Sequence, residues 1–230
     1  MKVSKTSFIR IGIGSALLVL SLSFSCSSPP SNYIILCAGD SLTEVGYPPF
    51  LARILKEEGI GAKVVNQGKS GHNSGEYLAF LEKNKKSLAQ NFPDFICLQL
   101  GTNDVRTDHD HTSADAFYAN MKEIIRLFKE FRTRSGKTPR LLIATVPPIP
   151  DNTPFPFDTS SEERVEREIN PLIQKIAEEE KCALVDNFSL FVDSPLFLPE
   201  VHPSGRGYEA MAQNWRTALK KHGVYAPDRT

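Results

Sequence analysis

The sequence has no excess of charge of either sign: 27 Lys and Arg stand against 27 Asp and Glu. Nucleic-acid binding needs a clear basic excess or a basic face, and nothing in the totals points to one. It lacks internal repeats, coiled-coil heptads and long low-complexity stretches, which leaves one domain. It also lacks an apolar run long enough to cross a bilayer comfortably, the longest being "IGIGSALLVLSLSF" at residues 11–24. Cysteine is scarce, with four in the chain. What remains is ordinary for a globular protein: 230 residues, 40% hydrophobic and 23% charged. That length suits one α/β domain with a full core.

The N-terminus departs from this average. Lys2, Lys5 and Arg10 precede the apolar run, and "SCSSPPS" follows it. A basic segment, an apolar segment and small residues before a cleavage point describe a secretory signal. "LSFSC", with Leu22 four residues before Cys26 and Ser25 just before it, resembles a bacterial lipoprotein signal. The resemblance implies cleavage ahead of Cys26 and lipidation of that residue, whose several acyl chains hold a protein stably to a membrane. Loss of the three bases leaves 24 against 27 acids, a net charge near −3. By that total the surface has no electrostatic claim on a membrane, and attachment falls to the lipid. Cys37, Cys97 and Cys182 remain, an odd number that rules out a complete disulfide framework. Cys37 and Cys97 lie in apolar runs, where a thiol is usually a small buried hydrophobe.

Beyond the tether at 26–32, short apolar runs alternate with amphipathic ones. Strand patterns fall at 33–39, 62–68, 94–101, 139–148 and 182–188. Helix patterns fall at 48–59, 74–90, 112–136, 160–181 and 203–223. Such alternation predicts βαβ units, hence a mostly parallel sheet with helices on both faces, over 33–225 and followed by a short tail. In that architecture ligands bind beyond the carboxyl ends of the strands.

Those strand ends hold "GDSLT", "NQGKSG" and "GTND", and "VHPSGRGY" precedes the last helix. A serine, a glycine, an asparagine and a histidine are what acyl transfer needs. A serine hydroxyl is a weak nucleophile until an imidazole takes its proton, and the tetrahedral oxyanion must meet fixed N–H donors. Ser41 is the candidate nucleophile and His202 its base and then acid. The N–H groups of Ser41 and Gly71 and the amide of Asn103 are candidate oxyanion donors. Asp40 next to Ser41 has the residue type of a helix cap, and Asp104 next to Asn103 reads as a support for its loop.

With all four blocks present in order, the sequence resembles the SGNH (GDSL) hydrolases. The matches are "GDSLTEVGYP", "NQGKSGHNS", "GTNDVR" and "VHPSGRGY". The resemblance implies a flavodoxin-like α/β/α fold with sheet order 2-1-3-4-5. It also implies ester hydrolysis through an acyl-serine intermediate with no metal or cofactor. One departure stands out. The family places an acid three residues before the histidine, whereas this chain reads "LPEVHP", with Pro199 there and Glu200 one residue closer. Glu200 is the first candidate to orient His202, with Asp193 and Asp186 as substitutes and a backbone carbonyl as the acid-free alternative. Two other readings stand beside hydrolysis: an acyltransferase or thioesterase using the same acyl-enzyme, and a surface-binding lipoprotein that kept the fold and lost catalysis.

Three further features carry expectations. His72 follows Gly71 and falls near the pocket mouth. "TDHDH" at 107–111 has metal-binding residue types, but they are crowded on a loop and the chemistry needs no metal. "VPPIPDNTPFPFD" at 146–158 is too rich in proline for regular structure and forms a semi-rigid rim over the site. The expected substrate is a small acyl ester, an O-acetyl carbohydrate or a short-chain or lysolipid ester, acted on by a monomer.

Overall fold

The computed structural model describes residues 32–226; the signal segment, Cys26 and the last four residues lie outside the described residues. Five strands form one sheet: β1 (Tyr33–Gly39), β2 (Ala62–Gly68), β3 (Phe95–Gln99), β4 (Arg140–Ala144) and β5 (Ala183–Val185). Their order is β2-β1-β3-β4-β5 and every pairing is parallel. The helices are α1 (Pro48–Glu57), α2 (Ser74–Ala89), α3 (Ala114–Lys129), α4 (Thr159–Arg164), α5 (Asn170–Glu180), α6 (Asn187–Val192) and α7 (Gly205–Lys221).

The central strands are apolar at nearly every position because both of their faces are covered. Successive side chains alternate between the two layers. Leu36 and Ala38 of β1, Ile96 and Leu98 of β3, and Leu141 and Ile143 of β4 pack with residues of α2, α3 and α5. Ile35 and Cys37, Phe95 and Cys97, and Leu142 and Ala144 pack on the other side with α1 and α7. Burying each such Leu or Ile contributes about 1.5–3 kcal/mol. Cys37 and Cys97 are register partners on neighbouring strands, both buried as free thiols.

Boundaries follow local chemistry. Asn73 caps α2, accepting from the Glu76 N–H, while the Glu76 carboxylate accepts from the Asn73 N–H. This reciprocal box satisfies two otherwise orphaned donors. α3 stops at Lys129, short of the expected 136. Phe131 turns into the core, and Thr133 and Lys137 close a loop through a Thr133 N to Lys137 O bond of 2.8 Å. Gly136, at φ +79, is the turn of that loop and not the stop of the helix. α6 has no counterpart among the expected helices; Asp186 starts it by accepting the Ser189 N–H at 3.0 Å. Among the described residues, no helix is long and apolar enough to cross a membrane.

Candidate active site

β1 delivers the first element. Gly39 has φ +153, and a Cβ there would lie 2.1 Å from the Gln99 carbonyl oxygen, so only glycine lets β1 pass β3 this closely. Asp40 follows, fully buried, its Oδ1 accepting the Leu42 N–H at 2.9 Å. Its Oδ2 lies without a hydrogen bond of normal geometry. Burial pushes the Asp40 carboxyl up to about 7, against the opposing pull of the Leu42 N–H. The carboxylate therefore serves the helix start, and the serine hydroxyl makes no cap. Ser41 Oγ instead lies 3.0 Å from His202 Nε2, across 161 residues of sequence.

Two neighbouring loops are tied to this serine. Asn66, at the end of β2, donates through Nδ2 to the Thr43 and Glu44 carbonyls at 3.1 and 2.9 Å and accepts the Gly68 N–H at 3.0 Å. Glu44 Oε2 accepts the Ser70 N–H at 2.8 Å, and the Ser70 hydroxyl, followed by this N–H, holds the Glu44 carboxyl below its ordinary value. Gly71 comes next, at φ +80 with open space where a Cβ would stand, so the backbone turn and not packing calls for glycine. Asn103 Nδ2 donates to the His72 carbonyl at 3.0 Å. Neither the Ser41 nor the Gly71 N–H donates to an acceptor among the described residues. An Asn amide has a second N–H to offer.

Asp104 supports this loop as expected from its position. Its carboxylate accepts from Ser74 N at 3.0 Å and from Ser74 Oγ at 2.5 Å, fixing the start of α2. Burial raises its carboxyl above the usual range, with the Ser74 bonds pulling the other way. Arg164 closes the same loop, donating to the Asp104 and Thr112 carbonyls at 2.8 and 2.6 Å.

Glu200, the expected third member, does not meet His202. Its side chain is exposed, and no described carboxylate pairs with the imidazole. The cause is the residue between them: Val201 is buried in the cluster that holds Val146 and Ile149, which leaves Glu200 pointing out of the core. The Glu200 charge, after burial and Asp40, helps push the Tyr208 hydroxyl up to about 12. Asp186 is occupied as the α6 cap, also accepting from Thr145 Oγ1 at 3.1 Å and Ser189 Oγ at 2.7 Å. Asp193 is exposed and unbonded to the ring. His202 is held through its neighbours: Val201 and Pro203 are buried, and Asn152 Nδ2 donates to the Pro199 carbonyl at 2.7 Å.

That last bond belongs to the rim. Residues 146–158 form no helix or strand and are anchored at both ends of the site. Asn152 grips the histidine segment, and Thr107 N and Oγ1 donate to the Pro156 carbonyl at 2.8 and 2.9 Å beside the asparagine segment. In "TDHDH", Asp108 and Asp110 turn to Arg106 at 2.5 and 2.9 Å, and the guanidinium bond holds the Asp108 carboxyl low. The His72 ring sits half-buried, edge-on to Phe80 at 6.5 Å. The sequence does not mark Glu44, Asn66, Asn152 and Arg164 as site supports, because each acts on a segment far away in the chain and no local motif signals it.

Comparison with known proteins gives consistent matches. The GDSL-like Lipase/Acylhydrolase family matches residues 37–210. A multidomain esterase from Ruminococcus flavefaciens is 24% identical, over 90% of this chain and 32% of that protein. An acetylxylan esterase from Xylanibacter ruminicola is 25% identical, over 85% of this chain and 45% of that protein. The chain thus spans less than half the length of these curated relatives. Among solved structures, an acetylxylan esterase from Geobacillus stearothermophilus superposes with a TM-score of 0.65 at 20% identity, covering 84% of this chain and 96% of that one. A carbohydrate acetylesterase family member from Sinorhizobium meliloti gives 0.67 at 21%, covering 82% and 98%. These likenesses bear on the fold.

Proposed function

Because this chain belongs to the GDSL-like lipase/acylhydrolase family and is a serine hydrolase acting on ester bonds, we propose that it removes O-acetyl groups from carbohydrate, exported and anchored by lipid on Cys26. The observation that carries the mechanism is the 3.0 Å contact between Ser41 Oγ and His202 Nε2. In this mechanism His202 takes the Ser41 proton as Oγ attacks the ester carbonyl. The oxyanion is met by the N–H groups of Ser41 and Gly71 and by the second N–H of Asn103. His202 then gives the proton to the departing sugar hydroxyl, and water repeats the sequence on the acyl-serine. Among the described residues no carboxylate pairs with the imidazole, and in this mechanism Ser41 and His202 work as a dyad. Its orientation comes from the packing of Val201 and the Asn152 bond.

The carbohydrate reading is supported by relatives named as acetylxylan and carbohydrate esterases. It is tested by rates on acetylated xylooligosaccharide, p-nitrophenyl acetate and a lysophospholipid. Release of acetate from the oligosaccharide at a kcat/KM at least comparable with that on p-nitrophenyl acetate is expected. Preference for the lysophospholipid would overturn the carbohydrate reading and leave the hydrolase.

A further inference from the structure

All strands run the same way, so the molecule has two unlike poles. Ser41, Gly71, Asn103 and His202 sit at the pole where strands end. Chain entry, at Tyr33, lies at the pole where strands begin. Helices in βαβ units run back against the strands, so their C-termini share that second pole. It is basic: Lys63, Arg134, Lys137, Arg140, Lys181 and Lys221 are all exposed, and none has an ion-pair partner among the described residues. The acids Glu58, Glu130 and Glu180 near them are already held by bases, and Glu178 is the exposed exception. At the opposite pole the acids Glu44, Asp151, Asp193 and Glu200 are exposed, against one exposed base without an ion pair among the described residues, Arg206.

The chain enters at the middle of the basic pole. Asn32 N–H donates to the Gly61 carbonyl at 2.8 Å, two residues before Lys63. Tyr33 Oη donates to Gly223 O at 3.2 Å, two residues after Lys221. Asp94, bonded to Ile34 on both its backbone and its carboxylate, accepts the Arg140 N–H at 2.9 Å.

We propose that this pole rests on an anionic lipid bilayer and holds the catalytic pole away from the anchoring membrane. The proposal rests on the lipid anchor at Cys26. Reach alone limits the choices. From Cys26 to Asn32 the chain extends at most ~22 Å, whatever its conformation. β1 lifts Ser41 roughly 25 Å above Tyr33, at about 3.3 Å per residue. A site turned toward the bilayer would need a tether that climbs this height and rounds a helical layer about 10 Å thick. That span exceeds the tether. Sideways poses remain within reach, and charge selects among them: exposed bases within a Debye length of anionic headgroups, about 10 Å at ordinary salt, are attracted. The near-neutral total conceals this polarity, and the surface does have an electrostatic claim on a membrane. A site held this way meets esters arriving from the aqueous side, such as acetylated carbohydrate, and not lipids of its own bilayer.

The test uses the full processed chain in vesicles of phosphatidylcholine alone or mixed equally with phosphatidylglycerol. Lysine reactivity toward an acetylating reagent is read by peptide mass spectrometry. Lys63, Lys137, Lys181 and Lys221 should react several-fold more slowly on the phosphatidylglycerol vesicles, recover in high salt, and show no such change on phosphatidylcholine. Lys69, at the catalytic pole, should react equally on both. A triple variant, Lys137→Glu, Lys181→Glu and Lys221→Glu, should lose the protection of Lys63 while hydrolysing p-nitrophenyl acetate normally. Equal reactivity on both vesicles, or protection of Lys69, overturns the proposal. A chain that floats with neither vesicle overturns the anchor, and the orientation with it.

Discussion

Asn103 and His72 are joined by a 3.0 Å bond from the asparagine amide to the histidine backbone carbonyl. One N–H of Asn103 thus fixes the turn that holds Gly71, and the other is left for an oxyanion. Donors set before the reaction cost no reorganisation during it, which is why such positions contribute so much. Asn103→Ala is expected to lower kcat on p-nitrophenyl acetate by roughly 10²–10³-fold with a much smaller change in KM. A loss confined to KM would place Asn103 in ground-state binding instead.

Glu200 makes the opposite prediction. Removing the acid of a working triad costs roughly 10⁴-fold, but this carboxylate is exposed and unbonded to His202. Glu200→Gln should keep kcat/KM within about threefold of the parent, as for a surface substitution. Steady-state kinetics decide it, and a loss of several orders of magnitude would restore Glu200 to the mechanism.

Asp40 makes stability depend on pH. Its carboxyl rises from 3.8 to about 7 on folding, so between roughly pH 4 and 7 the folded state binds a proton that the unfolded state has released. Stability from this group is therefore full at low pH and falls as pH rises through 7. Asp40→Asn keeps an oxygen for the Leu42 N–H and has no charge to bury. Its Tm should exceed that of the parent at pH 8, with the gap shrinking toward pH 5. A gap that widens toward low pH would mean the carboxylate is stabilised in the fold.

Asp104 holds the start of α2 through Ser74, and Asp104→Ala leaves both Ser74 donors buried without an acceptor. Unfolding in urea should show a loss of about 1–3 kcal/mol. An unchanged midpoint would show that the start of α2 does not depend on this carboxylate.

Gly71 separates conformation from space. Alanine there would touch nothing within 4 Å, yet φ +80 strains any L-residue. Gly71→Ala should cost about 1–2 kcal/mol of stability, and kcat should fall with it as the turn shifts its N–H. Unchanged stability and kcat in this variant would show that the turn tolerates a side chain.

Much of this was legible in the chain. The runs 33–39 and 62–68 coincide with β1 and β2: β1 is buried nearly throughout, β2 is a half-buried edge strand, and Gly39 and Gly68 end them. The four blocks around Ser41, Gly71, Asn103 and His202 sit where parallel topology gathers strand ends. The failures have physical causes. A glycine after a helix pattern reads as its stop, which carries the expected helix to Gly136, whereas the buried Phe131 turns the chain earlier. The six residues of α6 carry too little periodicity to mark a helix, so its cap, Asp186, looks like a spare acid in the sequence. Spacing alone puts Glu200 near the histidine, and the burial of Val201 between them is a tertiary fact that no local pattern carries. Asn152 and Arg164 contact segments about 50 residues distant, which no linear pattern records.

The central claim is that Ser41 and His202 form the reacting pair without a third acid. The most direct measurement is labelling with a fluorophosphonate, followed by peptide mapping, in the parent, His202→Ala, Glu200→Gln and Asp193→Asn chains. A phosphonyl adduct on the Ser41 peptide is expected, formed at the parent rate in the two acid variants and abolished or slowed at least ~10³-fold in His202→Ala. An adduct on another residue, or undiminished labelling of Ser41 without His202, would contradict it.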